Sequence, residues 1–253
     1  MNKKLLLLLS VGMLLASCRS HYQLASVERT RIVMDSRYDR QPDEEAATFL
    51  APYKHQVDSV MGPVMGFAAR NMAAERPESN LSNLLSDILV WAAADYGEKP
   101  VLGIYNMGGI RASLTKGEVT YGDVLDIAPF ENKIAFTTLT GETLLELFRQ
   151  IAHRGGEGVS HGCELVISRD GQLLSARLHG QEIDPQADYR VTTIDYLLGG
   201  NDGMPAFKKG RDVNSPQEVS NNSRFIIMNY FKQKAAKGEM VDAQVEGRIV
   251  VKK

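Results

Sequence analysis

The chain has 253 residues, of which 29 are lysine or arginine and 31 are aspartate or glutamate, so its formal net charge at pH 7 is −2. This near balance, without a polybasic stretch, argues against a nucleic acid polymer as a partner. The length and a hydrophobic content of 43% are sufficient for one well-buried domain.

Residues 1–17 have the composition of an export signal. Lys3 and Lys4 precede an apolar run that is too short to span a bilayer, and small residues follow it. The segment from Leu15 to Cys18 resembles a bacterial lipobox, which implies cleavage before Cys18 and its lipidation. An ordinary signal with an incidental cysteine is the alternative. We therefore expect an exported chain, anchored by lipid to a bacterial membrane and facing the periplasm, with no transmembrane helix after cleavage.

The cysteines and histidines give no metal-binding pattern. With Cys18 lipidated, Cys163 has no disulfide partner, and we expect it to be a small buried hydrophobic side chain; a reactive thiol is the alternative. The five histidines are far apart and lack the short spacings of metal sites. They are His21, His55, His153, His161 and His179. We expect this chain to bind no metal ion.

Residues 18–41 are polar and are predicted to be a lead-in or tether with one short strand over 30–35, whereas residues 42–253 are predicted to form the domain. That domain begins with an amphipathic helix over 44–61, where apolar residues recur every three or four positions. A second helix begins after Ser79, a favourable N-cap, and Gly97 is a plausible stop.

An apolar run over 101–105 predicts a strand that leads into Gly108 and Gly109, with Arg111 directly after them. Paired glycines allow a positive φ and close approach of the backbone, and an arginine beside them is typical of an anion site. A simple turn is the alternative.

The later elements alternate between hairpins and helices. We predict strands over 134–139, 164–168, 173–178, 189–195 and 247–251, helices after Thr140 and around 225–231, and a flexible loop over 155–158. This mixture predicts an α/β (α+β) fold, in which helices flank a mixed β-sheet.

Two loops of this fold each carry an aromatic residue beside a polar one. Pro129 fixes a turn that presents Phe130 and Asn132, and Tyr196 precedes a glycine-rich turn that contains Asp202. Two rings can stack on any nucleobase, while an amide and a carboxylate select among ligands. The alternative is that the rings belong to the hydrophobic core.

Three motifs together resemble the C-terminal, substrate-recognition domain of the 5′-nucleotidase family. They are N-x-G-G-I-R from Asn106, P-F-x-N from Pro129, and D-Y-L-x-x-G-x-D-G from Asp195, and the resemblance covers about residues 42–252. It implies the fold of that domain and a role for each site residue. Phe130 and Tyr196 would sandwich the base, Asn132 would contact its edge, Asp202 would bind the ribose hydroxyls, and Arg111 would face the phosphate.

Weaker parts of the resemblance concern four further positions. Arg76 resembles a second phosphate-facing arginine, with a solvated surface arginine as the alternative. Gly158 is a candidate for contact with the base, with a plain loop glycine as the alternative. Ser82 and Asn201 stand where the family usually has glycine.

In the resembled family, two metal ions in a separate N-terminal calcineurin-like domain hydrolyse the phosphate ester, and the set of signatures for that domain does not occur in this sequence. The first hypothesis is therefore the nucleotide-recognition half of a 5′-nucleotidase, a hydrolase of nucleotide catabolism, with divalent metals supplied by a separate metallophosphoesterase chain. The second is a stand-alone lipoprotein that binds nucleosides or nucleotides. The third is a passive interaction module with a degenerate site.

Overall fold

The computed structural model describes residues 22–38 and 43–252, so the export signal and Cys18 lie outside the described residues. The chain divides into two compact units, Met1–Phe49 and Leu50–Lys253. In the first unit, residues 22–35 are exposed and have no regular secondary structure. The strand predicted over 30–35 is therefore wrong, because an extended segment needs a neighbouring strand to satisfy its backbone.

Helix α1 spans Glu44–Met61, as predicted. Asp43 begins it, since its carboxylate accepts a hydrogen bond from the Ala46 N–H at 2.9 Å. The apolar stripe is exposed in the described structure, and no residue of this helix is buried.

The second unit alternates strands and helices. The strands are β1 (Val64–Ala68), β2 (Leu102–Tyr105), β3 (Gly117–Thr120), β4 (Ile134–Thr140), β5 (Gly158–Val159), β6 (Cys163–Ser168), β7 (Leu173–Leu178), β8 (Gln181–Glu182), β9 (Asp188–Ile194), β10 (Arg211–Asn214) and β11 (Ile249–Lys252). The helices are α2 (Asn80–Ala92), α3 (Tyr121–Ile127), α4 (Gly141–His153), α5 (Asp195–Leu198) and α6 (Ser223–Ala236).

The described strands form mixed sheets, which confirms the predicted fold class. The central sheet has the order β10-β4-β9-β2-β5, with β2 and β9 parallel and the other pairs antiparallel. A second sheet has the order β11-β6-β7-β8, with β11 and β6 parallel, and β1 pairs with β3. Helices α2 and α4 pack against the central sheet.

The predicted helix caps are confirmed. Ser79 accepts a hydrogen bond from the Ser82 N–H, and the Ser82 hydroxyl in turn accepts one from the Ser79 N–H. Serine at 82, in place of the family's usual glycine, thus completes a capping box. A 3₁₀ turn extends the chain beyond α2 to Gly97, whose φ of 68° ends it, and Thr140 caps α4.

The parallel pair β2 and β9 decides where the predicted site residues meet. All of β2 and the last four residues of β9 are buried, and the carboxyl ends of parallel strands lie at the same edge. The chain leaves β2 at Asn106 and leaves β9 at Asp195, so the two predicted loops are neighbours. Cys163 lies elsewhere in the core, and burial raises the pKa of its thiol, as expected for an unreactive cysteine.

Candidate functional site

A cavity of about 190 Å³ opens at the carboxyl ends of β2 and β9. Its lining contains six of the nine residues that the sequence predicts for ligand binding, together with one that it does not. The lining residues are Asn106, Gly108, Gly109, Phe130, Asn132, Tyr196 and Asp202.

Both aromatic rings of the lining face outward from the core. Phe130 is 47% exposed and Tyr196 is 39% exposed, although large aromatic side chains are usually buried. The structure therefore excludes the alternative that these rings belong to the hydrophobic core. Their contact with a base stays a prediction.

The glycines at 108 and 109 form a short 3₁₀ turn with Met107. Neither has a positive φ, so the conformational part of our prediction is wrong. At Gly109 glycine is needed for space instead, since a Cβ there would lie 2.7 Å from Oδ1 of Asn106. A Cβ on Gly108 would lie 3.4 Å from Oδ2 of Asp202, which is an ordinary contact.

Asp202 adopts a φ of 52° between Gly200 and Gly203, whose φ values are 73° and 67°. Its Oδ1 accepts a hydrogen bond from the Tyr196 hydroxyl at 3.1 Å, and its Oδ2 accepts one from Nδ2 of Asn106 at 2.7 Å. The hydrogen bond to Asp202 raises the pKa of Tyr196. The ring, the amide and the carboxylate therefore form one connected group on the cavity wall.

Asn201, where the family usually has glycine, does not take a positive φ. Its side-chain amide donates a hydrogen bond to the Tyr196 carbonyl at 2.7 Å. Asparagine at this position therefore links the two ends of the loop.

The turn before β5 contains Glu157, which the sequence analysis placed in a flexible loop. Its side chain is buried, and its Oε1 accepts hydrogen bonds from Arg76 at 2.5 Å and from Arg154 at 2.6 Å. Its Oε2 accepts the Met107 N–H at 2.5 Å. The turn is therefore anchored, and the prediction of a flexible loop is wrong. No local signal marked Glu157, since Arg76 and Met107 are far from it in sequence.

The two predicted arginines differ in their surroundings. Arg111 is exposed, and its Nη1 donates to the Gly108 carbonyl at 3.3 Å, so its guanidinium lies beside the cavity lining. Arg76 is not part of the lining, and 38% of its side chain is exposed, as for a surface arginine. It is nevertheless paired with Glu157 and donates to the Gly156 carbonyl at 2.8 Å.

Gly158 is not brought to the cavity. It pairs with Tyr105 in the β2–β5 ladder, and a Cβ on it would lie 2.7 Å from the Ser86 hydroxyl and 2.9 Å from the Ser82 carbonyl. Glycine at this position is thus required by packing against α2, which corrects our expectation that it contacts a base.

Sequence reasoning missed Asn106, Glu157 and Arg154 as site residues. Nη2 of Arg154 lies 3.9 Å from Oδ2 of Asp202. Burial disfavours the charge of Arg154, but its ion pairs with Glu157 and Asp202 outweigh that effect and raise its pKa. Of the three, only Asn106 had a signal, since it opens the glycine motif.

Four larger depressions in the described structure measure about 320 to 610 Å³. Three of them are lined by no phenylalanine, tyrosine or tryptophan, and the one of about 320 Å³ is lined by Trp91, Tyr96 and Phe225. None of the four contains a residue of the three sequence motifs. Among the described residues, no group of three or more His, Cys, Asp or Glu side chains is placed to hold a metal ion. The residues that fit catalytic metals are thus not found in this part of the chain.

No helix in residues 22–38 and 43–252 is both long and apolar enough to cross a membrane.

Comparison with known proteins gives a consistent result. The protein is 27% identical to a cell wall protein of Listeria monocytogenes, in a match that covers 83% of this chain and 30% of the relative. It is 23% identical to the protein UshA of Escherichia coli, which it matches over 80% of this chain and 36% of the relative. The crystal structure of a 5′-nucleotidase precursor from Thermus thermophilus superposes with a TM-score of 0.71 at 26% identity, covering 85% of this chain and 44% of the other.

The chain spans about a third of the length of the curated relatives it matches. The family model described as the C-terminal domain of 5′-nucleotidase matches residues 60–209, which is more than half of the chain. With the cavity, its motifs and the mixed sheets in agreement, the chain belongs to the 5′-nucleotidase C-terminal domain family.

Proposed function

We propose that this chain is the nucleotide-recognition part of a 5′-nucleotidase, and that the metal ions for phosphate ester hydrolysis are supplied by a separate metallophosphoesterase chain. The observation that supports it best is the cavity at the ends of β2 and β9, where two exposed rings, an amide and a carboxylate converge. Two aromatic rings can bind a base, and polar groups at fixed positions then orient the ligand.

The size of the cavity fits part of a nucleotide. Ligand cavities usually measure about 300–1,000 Å³, so the 190 Å³ here would enclose a base and leave the sugar and phosphate near the opening. Asp202 keeps 21% of its side chain exposed, which leaves room for ribose hydroxyls. Arg111 supplies a planar, permanently charged guanidinium for a phosphate.

The cellular place of the chain follows from its first residues. Residues 1–17 resemble a lipoprotein signal, and one relative is a cell wall protein. We infer an exported protein that faces the periplasm. A lipid on Cys18 would anchor this protein to a bacterial membrane. Mass spectrometry of the purified native chain tests this: an N-terminus at Cys18 with added acyl mass supports it, and an unprocessed or unacylated chain contradicts it.

Enzyme assays test whether hydrolysis needs a second chain. The chain mixed with divalent metal and AMP is expected not to hydrolyse AMP. After a metallophosphoesterase that lacks its own substrate-recognition domain is added, the mixture is expected to hydrolyse it. Phe130→Ala in the protein described here should then raise the KM of the two-chain mixture for AMP. Enzyme-like turnover by the chain alone would rule out the two-chain proposal.

A second candidate function is a stand-alone lipoprotein that binds nucleosides or nucleotides. It is favoured by one observation: both aromatic rings and the carboxylate that would bind a nucleoside line the same cavity of this chain. Binding of AMP without a partner is expected under both proposals, so the distinction is whether a phosphoesterase chain forms a complex with the protein. Failure of every such chain to associate would favour stand-alone binding.

A further inference from the structure

The buried carboxylate of Glu157 joins three parts of the chain, which are the glycine turn, the end of α4 and the segment before α2. Its Oε2 accepts the N–H of Met107, the first residue of the glycine turn. Its Oε1 accepts hydrogen bonds from Arg154, which reaches towards Asp202, and from Arg76, which precedes α2. The Glu157 side chain has no solvent exposure, so these groups and not water satisfy it.

We propose that Glu157 is a positioning residue of the cavity, which fixes the glycine turn through Met107 and the carboxylate of Asp202 through Arg154. The inference rests on the proposed function, because it concerns the same cavity. It adds a residue that touches no ligand and acts on those that line the wall.

The chemistry of burial supports this role. A carboxylate removed from water is stable only if cations and N–H groups surround it, and Glu157 has two guanidiniums and one amide. If glutamine replaced it, the two guanidiniums would compete for one neutral oxygen. Arg154 would then be less firmly held, and the Met107 N–H would face an NH₂ group or lose its acceptor.

The position of Arg154 explains how the effect would reach the ligand. Its Nη2 is 3.9 Å from Oδ2 of Asp202, and its Nη1 is 3.7 Å from where a Cβ on Gly203 would stand. A shift of Arg154 therefore changes both the charge beside Asp202 and the packing of the turn that carries it. The side chain of Glu157 is bonded to Arg76, Arg154 and Met107 and not to the rings of Phe130 and Tyr196, so base stacking should be less affected.

Glu98 provides a matched control at the opposite ends of the same strands. Its two oxygens accept hydrogen bonds from Arg190 at 2.6 and 2.8 Å, and Oε1 also accepts one from Asn214 at 2.9 Å. Glu98→Gln therefore breaks a comparable, mostly buried ion pair at a distance from the cavity. Any general effect of losing such a pair appears in both variants.

Hydrogen exchange tests the turn without any ligand. In the unliganded protein, we expect Glu157→Gln to speed exchange of the amides at 107–109 by about tenfold or more, as for the loss of a hydrogen bond to a charged group. Glu98→Gln should leave these amides unchanged. Equal protection of this turn in wild type and Glu157→Gln would overturn the proposal.

Calorimetry with adenosine and with 2′,3′-dideoxyadenosine, which lacks the 2′- and 3′-hydroxyls of the ribose, tests the connection to Asp202. Glu157→Gln should weaken adenosine binding by about tenfold and change dideoxyadenosine binding much less, and Glu98→Gln should change neither. Equal losses for both ligands would show a merely structural role and overturn the proposal. If wild type bound neither ligand, the proposed function would fail, while hydrogen exchange would still decide the role of Glu157.

A second variant covers the case in which Glu157→Gln does not fold. Arg154→Gln leaves Glu157 paired with Arg76 and Met107. It removes only the guanidinium that lies near Asp202. It should reproduce the selective loss of adenosine binding. Unchanged adenosine binding in this variant would contradict the proposed route through Arg154.

Discussion

Each end of the parallel pair β2 and β9 has a carboxylate beside it, but the two carboxylates differ in hydrogen bonding and exposure. At the amino ends, Glu98 is saturated by Arg190 and Asn214. At the carboxyl ends, Asp202 is partly exposed, and the buried Oδ1 of Asn106 has no hydrogen-bond partner among the described residues.

This contrast shows what separates a structural polar cluster from a candidate binding site. Buried polar atoms are nearly always paired, so an unpaired acceptor beside a cavity marks a place for water or a ligand. The carboxyl ends of the strands also carry the two exposed rings, which line the same cavity as Asn106 and Asp202. The predictions below test whether binding depends on the carboxyl ends alone.

The largest effect is expected from removing a stacking ring. Phe130→Ala should weaken AMP binding by about 1–3 kcal/mol, because a stacked base contributes roughly that much. Calorimetry measures it, with Phe67→Ala on β1 as the control, since that ring is similarly exposed and lies outside the lining. Equal affinity in wild type and Phe130→Ala would mean that the base binds elsewhere.

The next effect is expected from neutralising the carboxylate. Asp202→Asn should weaken adenosine binding by about 1.5 kcal/mol, because hydrogen bonds to a charged group contribute roughly 1.5–3 kcal/mol. Dideoxyadenosine should be nearly unaffected. Asp188→Asn, at the start of β9, is the control for losing a carboxylate outside the cavity. Equal losses of adenosine and dideoxyadenosine binding would show that Asp202 does not bind the ribose hydroxyls.

A smaller effect is expected at the exposed arginine. Arg111→Ala should weaken AMP binding by about 1 kcal/mol and leave adenosine unchanged, since only AMP carries a phosphate. The difference in AMP affinity between wild type and Arg111→Ala should become smaller as salt is added, because exposed charges are screened. Arg169→Ala, in the β6–β7 turn, is the matched exposed arginine. A loss of adenosine binding in Arg111→Ala would instead point to a role in shaping the turn.

The smallest effect is expected from Tyr196→Phe, which keeps the ring and removes its hydrogen bond to Asp202. Because the site is partly open to water, we expect a change in AMP affinity of about 0.5 kcal/mol or less. A loss as large as that of Phe130→Ala would show that the hydroxyl, not the ring, is the binding group.

The same hydrogen bond gives a pH dependence with a defined sign. The pKa of Tyr196 is raised from 10.0 in the folded protein, mainly by Asp202. Its contribution to stability is therefore complete below about pH 10 and is lost as the pH rises through the folded pKa. NMR titration of labelled tyrosine should show the Tyr196 pKa fall towards its ordinary value in Asp202→Asn. No change would contradict the assigned cause.

The sequence predicted those features that depend on neighbouring residues. The caps at Ser79 and Thr140 and the hairpin formed by the strands predicted over 164–168 and 173–178 follow from local hydrogen bonding and turn preferences, and all three are present. The strand predicted over 30–35 failed because a pattern of residues cannot supply a partner strand.

The site was predictable only where a motif marked it. Phe130, Tyr196 and Asp202 were found in this way and line one cavity. Glu157 was missed because two of its three partners, Arg76 and Met107, are distant in sequence. Gly158 was misplaced because a glycine required by helix packing has the same sequence signal as one required by a ligand.

The central claim is that a nucleobase binds between Phe130 and Tyr196. Nuclear Overhauser contacts between the base protons of AMP and selectively labelled aromatic rings measure this directly. We predict contacts from the base to both rings in the wild-type chain, and their loss in Phe130→Ala. Saturable AMP binding without contact to either ring would contradict the account.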